Sequence, residues 1–187
     1  MSRSGKPGFG RAIGAVGVLL AVFGWTSGAQ AGDSARAVLR DAGGAPVGMV
    51  HLNQEDGAVV VRAVIHDVPA GFHGFHVHAV GQCTPPFTTA GGHYDPNGSS
   101  HGDHAGDMPS LLVNSDGTGQ LRFTTDRFSV ADLFDADGSA VIVHAGRDNF
   151  ANIPTRYHSH TEDVFGPDSV TLATGDSGAR FACGLVT

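Results

Sequence analysis

The 187 residues carry 11 Lys and Arg against 18 Asp and Glu, and the three basic residues Arg3, Lys6 and Arg11 all precede position 32. From Gly32 on, eight arginines and no lysine face eighteen carboxylates, a net charge of −10 with His neutral. So acidic a surface argues against nucleic acid and anionic membranes as partners and suits a soluble exported protein.

In chain order, the basic start leads into "AIGAVGVLLAVFGW" (12–25), an apolar run too short for a comfortable membrane span. Small residues follow at Ala29 and Ala31. This pattern predicts a secretory signal peptide over 1–31, cut after Ala31, and one domain over 32–187, with an uncleaved membrane anchor as the alternative. The expected location is outside the cytoplasm: extracellular, in the cell envelope or periplasmic, with no stable membrane insertion of the mature chain. No cysteine stands at the cleavage site, so a lipid anchor there is not supported.

Beyond the leader, "SARAVLRD", "PVGMVHL" and "GAVVVRAVIHDV" read as strands rich in Val, and "LLVNSDGTGQLRFTT" (111–125) as a hairpin. Asp116-Gly117 and Gly119 are expected to supply its positive-φ positions. "SAVIVHA" (139–145) and "ARFACGLV" (179–186) add two more strands. No helical period stands out. The pattern predicts an all-β chain: an eight-stranded antiparallel sandwich or barrel. Two long stretches, 81–109 and 146–178, are rich in Gly, Pro, Asp and His without periodicity. Each follows a strand carrying a histidine, and loops of that length inside a compact domain are usually functional.

"HGFHVHAVGQC" (73–83) sets the chemistry. In a strand His76 and His78 share one face while Phe75 and Val77 take the other, which makes half of a metal site. The loop "GGHYDPNGSSHGDHAGDMP" then holds His93, His101, His104 and Asp107, a sufficient tetrahedral set for zinc. His144 ends "AVIVHA" where it can join His76 and His78, and imidazole-rich tetragonal sites suit copper. Asp103 is a competitor for the role of Asp107. His51 and His66, without partners in the pattern, read as surface histidines. "YHSHTED", with His158 and His160, reads either as solvated loop or as an auxiliary metal-capture site. The only cysteines, Cys83 and Cys183, favour a disulfide in an exported protein, with free thiols or thiolate ligands as the alternative. On the chain-entropy model such a loop closure stabilises by about 4.7 kcal/mol.

At these residues the chain resembles the copper/zinc superoxide dismutases, over nearly all of 34–187. "GFHVH" matches two copper ligands, His76 and His78; "GGHYDP" matches the histidine bridging copper and zinc, His93; His144 matches the last copper ligand. His101, His104 and Asp107 match the remaining zinc ligands, although the family usually has a longer segment where only Gly102 and Asp103 separate the two histidines here. "GARFACG" matches the C-terminal signature, with Arg180 at the anion-guiding arginine and Cys183 paired with Cys83.

The resemblance implies a Greek-key barrel with two functional loops and an exported enzyme that dismutes superoxide with copper and zinc. His93 and Arg180 would be catalytic, with His93 releasing copper on reduction and carrying the proton that reoxidation returns. Asp148 would link His76 to His101, and His73 would pack behind the copper strand. Arg147 and Arg156 are expected to attract the anion at longer range. A homodimer lies within the family's range. The second function class is a non-catalytic module of the same fold that stores or carries copper and zinc.

Overall fold

A computed structural model describes residues 1, 2, 5 and 32–187; apart from those first three positions, the leader expected over 1–31 lies outside the described residues. The strands are β1 (Ser34–Asp41), β2 (Pro46–Glu55), β3 (Ala58–Ile65), β4 (Gly71–His73), β5 (Phe75–His78), β6 (Leu111–Val113), β7 (Gly119–Thr125), β8 (Ala140–His144), β9 (His158–Ser159), β10 (Val164–Phe165) and β11 (Arg180–Leu185), with one helix, α1 (Ser169–Thr174), before β11. All pairings are antiparallel, and the main sheet runs β5-β8-β11-β1-β2-β3-β7.

The expected eight strands are present as more pieces. The run "GFHGFHVH" (71–78) is interrupted at Gly74, so β4 pairs with β6 while β5 pairs with β8. The turn at 114–118 returns β6 to β7, which curls the sheet back on itself. The second long loop is not irregular throughout. It carries the small β9–β10 hairpin and α1, whose N-cap Asp168 accepts the Thr171 N–H and whose C-cap is Gly175. Six helical residues are too few to show a 3.6-residue period in sequence.

The core follows the strand period of two. In β1, Ala35, Ala37 and Leu39 point inward; Val50 and Leu52 of β2, Val61 and Ala63 of β3, and Val141 and Val143 of β8 complete the interior. Two of the three positive-φ expectations fail in the hairpin. Gly117 has φ +81°, but Asp116 does not lie at positive φ, and neither does Gly119. It is glycine for space: a Cβ there would stand 2.6 Å from the Leu112 carbonyl oxygen.

β5 and β8 differ from the rest in being buried along their whole length. Their inner faces meet the core and their outer faces lie under the two long loops. Beneath the first loop, Ile142 and Ala140 pack with Phe87, Ala90 and the Cys83–Cys183 disulfide, which spans 100 residues. That bridge fastens the first loop to β11. Among the described residues, no helix is long and apolar enough to cross a membrane.

Candidate metal centre

Alternation on β5 and β8 sends Phe75, Val77, Val141 and Val143 into the core and leaves His76, His78 and His144 on the opposite face. The first loop runs along the free edge of β5. The Val77 N–H donates to the Gly106 carbonyl at 2.9 Å, and the Tyr94 N–H donates to the Val77 carbonyl at 2.8 Å. This brings His93 beside His78 and Asp107 beside His76.

One nitrogen from each of His76, His78, His93 and His144 lies within 4.8 Å of the other three. His76 Nδ1 and His93 Nε2 are buried without a hydrogen-bond partner, and His78 Nε2 faces His144 Nε2 at 3.4 Å. The far nitrogens of the three strand histidines are all fixed. His76 Nε2 donates to Asp148 Oδ2 at 2.7 Å; His78 Nδ1 and His144 Nδ1 donate to the carbonyls of Gly91 and Gly178, each at 3.0 Å. Outer N–H groups tied down and inner lone pairs left converging are what a metal requires of its histidines. Burial drives three of the four rings to the neutral, ligating form: His93 is lowered to about 4, His144 to about 3, and His78 well below its ordinary value.

The other nitrogen of His93 belongs to a second set. His93 Nδ1 lies 2.8 Å from Asp107 Oδ1 and 3.3 Å from Nδ1 of both His101 and His104. His101 Nδ1 stands 3.2 Å from Asp107 Oδ1, and His104 Nδ1 stands 3.4 Å from Asp107 Oδ2. Donors about 2.0–2.1 Å from a shared tetrahedral zinc would stand about 3.3–3.4 Å apart, so the spacing fits. His76 also lies within 4.8 Å of His93, His101 and Asp107, because the two sets share a wall.

The short His101–His104 connection closes as a turn around Asp107. Its Oδ2 accepts the N–H groups of Gly102 at 2.7 Å and His104 at 3.1 Å. Burial pushes the Asp107 carboxyl up, but hydrogen bonds from His101 and His93 hold it well below the ordinary carboxylate range. Burial likewise opposes charge on His101, yet Asp107 and Asp148 raise it to about 9. Asp103 is no competitor: it is exposed and lies 3.7 Å from Arg127.

Asp148 joins the two sets, accepting from His76 through Oδ2 and from His101 through Oδ1 at 2.8 Å. Gly175 sits over this link at φ +59°. A Cβ there would fall 2.1 Å from Asp148 Oδ1 and 2.3 Å from His101 Nε2. Two contributors escape sequence reasoning. Gly175 is one, and Arg127 is the other; Arg127 donates to the carbonyls of Gly102 at 2.9 Å and His104 at 3.2 Å, gripping the turn from outside. The only cue in sequence was the place of Arg127 just after a strand; Gly175 lies in a stretch without periodicity.

His73 is buried behind β5, its two ring nitrogens each 2.8 Å from a carbonyl, of His144 and Pro69. Arg180 pairs with His144 across β11 and β8, and its guanidinium donates to the carbonyls of Phe87 and Gly91. It lines a cavity of about 270 Å³ with Pro86, Thr88, Gly178 and Ala179. Arg147 and Arg156 are exposed, Arg156 over the Tyr157 ring at 4.8 Å. His51 and His66 are exposed as well. His158 donates to Asp163 at 2.9 Å and packs on Phe165; with His160 it does not join either metal-holding set.

The profile of the family described as copper/zinc superoxide dismutase (SODC) matches residues 47–186. A copper-zinc superoxide dismutase of Photobacterium leiognathi is 32% identical over 158 residues, covering 76% of this chain and 80% of that protein. One of Mycolicibacterium paratuberculosis is 44% identical over 127 residues, covering 62% of this chain and 56% of that protein. The chain thus spans little more than half the length of its mycobacterial relatives. A solved double mutant of a SOD-like protein from Bacillus subtilis superposes with a TM-score of 0.62 at 28% identity, over 80% of this chain and 95% of that one. The two donor sets suit copper and zinc, the metals of that family. The chain belongs to the copper/zinc superoxide dismutase family.

Proposed function

We propose that this protein dismutes superoxide: one anion gives up an electron and leaves as oxygen, and a second takes that electron and two protons to become hydrogen peroxide. The observation that carries the reading is the His93 ring, whose Nε2 is a partnerless buried nitrogen of the four-histidine set while Nδ1 lies among His101, His104 and Asp107. His76, His78, His93 and His144 would hold copper, and His93, His101, His104 and Asp107 would hold zinc.

Bound copper supplies the one-electron exchange. The chain's residues do the rest. His93 Nε2 takes and returns a proton while Nδ1 stays fixed on the zinc side. Arg180, half-buried at the cavity beside His144, receives the anion. Its two carbonyl contacts aim the guanidinium and limit its motion. Asp148 keeps His76 and His101 aligned with one carboxylate, and His73 braces β5 from behind. Arg147 and Arg156 add positive potential to an acidic surface and so raise the encounter rate.

Superoxide consumption by protein reloaded with copper and zinc tests this. Turnover that disappears in Arg180→Ala with both metals retained supports it; two bound metals without turnover would instead favour a carrier or store. Export is part of the proposal. It rests on the basic, apolar, small-residue order of 1–31, and a mature N-terminus at Gly32 in secreted material is the expected result.

A further inference from the structure

Net charge describes the whole chain, but the register of the main sheet sorts its few cations. Arg36 stands opposite His51, His51 opposite Arg62, and Arg62 opposite Arg122. These four side chains form one row across β1, β2, β3 and β7, all outward and exposed. Strand spacing sets neighbours about 4.8 Å apart, so the row runs about 14 Å. Arg40 lies further along the same face of β1. Half of the eight arginines after residue 31 therefore occupy one face of an acidic protein.

Nothing in the described residues accounts for the row. Among the described residues, the Arg36, Arg62 and Arg122 guanidiniums make no ion pair and no side-chain hydrogen bond. Arg62 and Arg122 are directly opposed like charges, an arrangement that weakens an isolated sheet. Neither flanking row holds a carboxylate. On one side lie Ser34, Asn53, Val60 and Thr124, and on the other Val38, Met49, Val64 and Gln120. At the Arg36–His51 end the face dips into a recess of about 270 Å³ that Ser34, Asn53 and Thr187 also line.

We propose that this face binds an acidic polysaccharide laid along the Arg36–His51–Arg62–Arg122 row. Three features select that partner. Three arginines in one line, with the polar ring of His51 between two of them, complement a polymer whose charges repeat along its length. The hydroxyls and amide of Ser34, Asn53 and Thr124 suit sugar hydroxyls, and Val38, Met49 and Val64 suit the C–H faces of sugar rings. His51 is the one aromatic ring in the three rows, so the series of stacking platforms on which single-stranded nucleic acids rely is missing.

Heparin, a sulfated polysaccharide, is the probe, with the full metal-loaded chain on an immobilised column at low ionic strength. Retention that salt reverses is expected, because exposed charges are screened. Arg62→Gln with Arg122→Gln should weaken binding about tenfold, and Arg36→Gln about threefold. Arg147→Gln with Arg156→Gln removes the same charge elsewhere and should change binding less than about twofold. The melting temperature of the Arg62/Arg122 variant should not fall, since it relieves a repulsion. No retention of the unaltered chain overturns the proposal, as does equal loss in the two double variants. Tighter binding to anionic lipid vesicles or to a single-stranded oligonucleotide than to heparin also overturns it, in favour of those partners.

Discussion

The two donor sets around His93 are built by different means. His76, His78 and His144 stand on β5 and β8, neighbouring strands whose ladder pairs His76 with Ile142 and His78 with Ala140. His101, His104 and Asp107 come from a loop with no ladder of its own. Their positions depend on single contacts: Asp107 Oδ2 under two N–H groups, Arg127 on two carbonyls, Asp148 on His101, and the His101 N–H on the Leu172 carbonyl at 2.7 Å. A ladder spreads the restraint on a ligand over many bonds, whereas a loop concentrates it in a few. The loop set should therefore yield to substitutions that leave the strand set intact.

The largest effect should come from the one residue common to both sets. His93→Ala removes a donor from each, and a structural zinc site worth about 10–16 kcal/mol over four ligands loses about 3 kcal/mol with one. Chelator competition should show zinc affinity falling more than about 100-fold, with superoxide consumption lost. Asp148→Ala is the next test, because it loosens one histidine of each kind. Affinity should drop about 10–100-fold at both sets; a drop at only one would mean that Asp148 does not couple them.

Acid separates the sets. In the metal-free chain His101 is raised to about 9, so its proton must leave before Nδ1 can bind a metal. Zinc affinity should then fall about tenfold for each pH unit below that value, and zinc uptake at neutral pH should release a proton measurable by calorimetry in buffers of different ionisation heat. His144, lowered to about 3, is already neutral there and adds no such term to copper uptake. The smallest effect sharpens the comparison most. Arg127→Gln frees the turn from outside, and its half-exposed guanidinium contributes about 1 kcal/mol. Zinc affinity should drop about fivefold, cobalt placed in that set should show altered visible bands, and copper affinity should hold.

Much of this was legible in the sequence because it is local. Alternation gave β1 to Ser34–Asp41 without error, and the two-residue step between His76 and His78 set both on one face. The shortness of the His101–His104 connection was equally visible, but not its remedy. Asp107 can answer two N–H groups in one turn only because the loop has folded back along β5. The hairpin glycines divide the same way. Gly117 follows turn chemistry, whereas Gly119 answers to the Leu112 carbonyl across the fold.

By itself, then, the chain order determined the long strands, the donor types and their grouping, since periodicity and ligand spacing operate over a few residues. Tertiary structure alone decided which nitrogen of His93 faces which set, that Gly175 must be small above the Asp148–His101 link, and that Arg36, Arg62 and Arg122 share a row. Each of these is a matter of register or loop closure between segments far apart in the chain. Pairing energies summed over the whole barrel choose that register, so no window of neighbouring residues contains it.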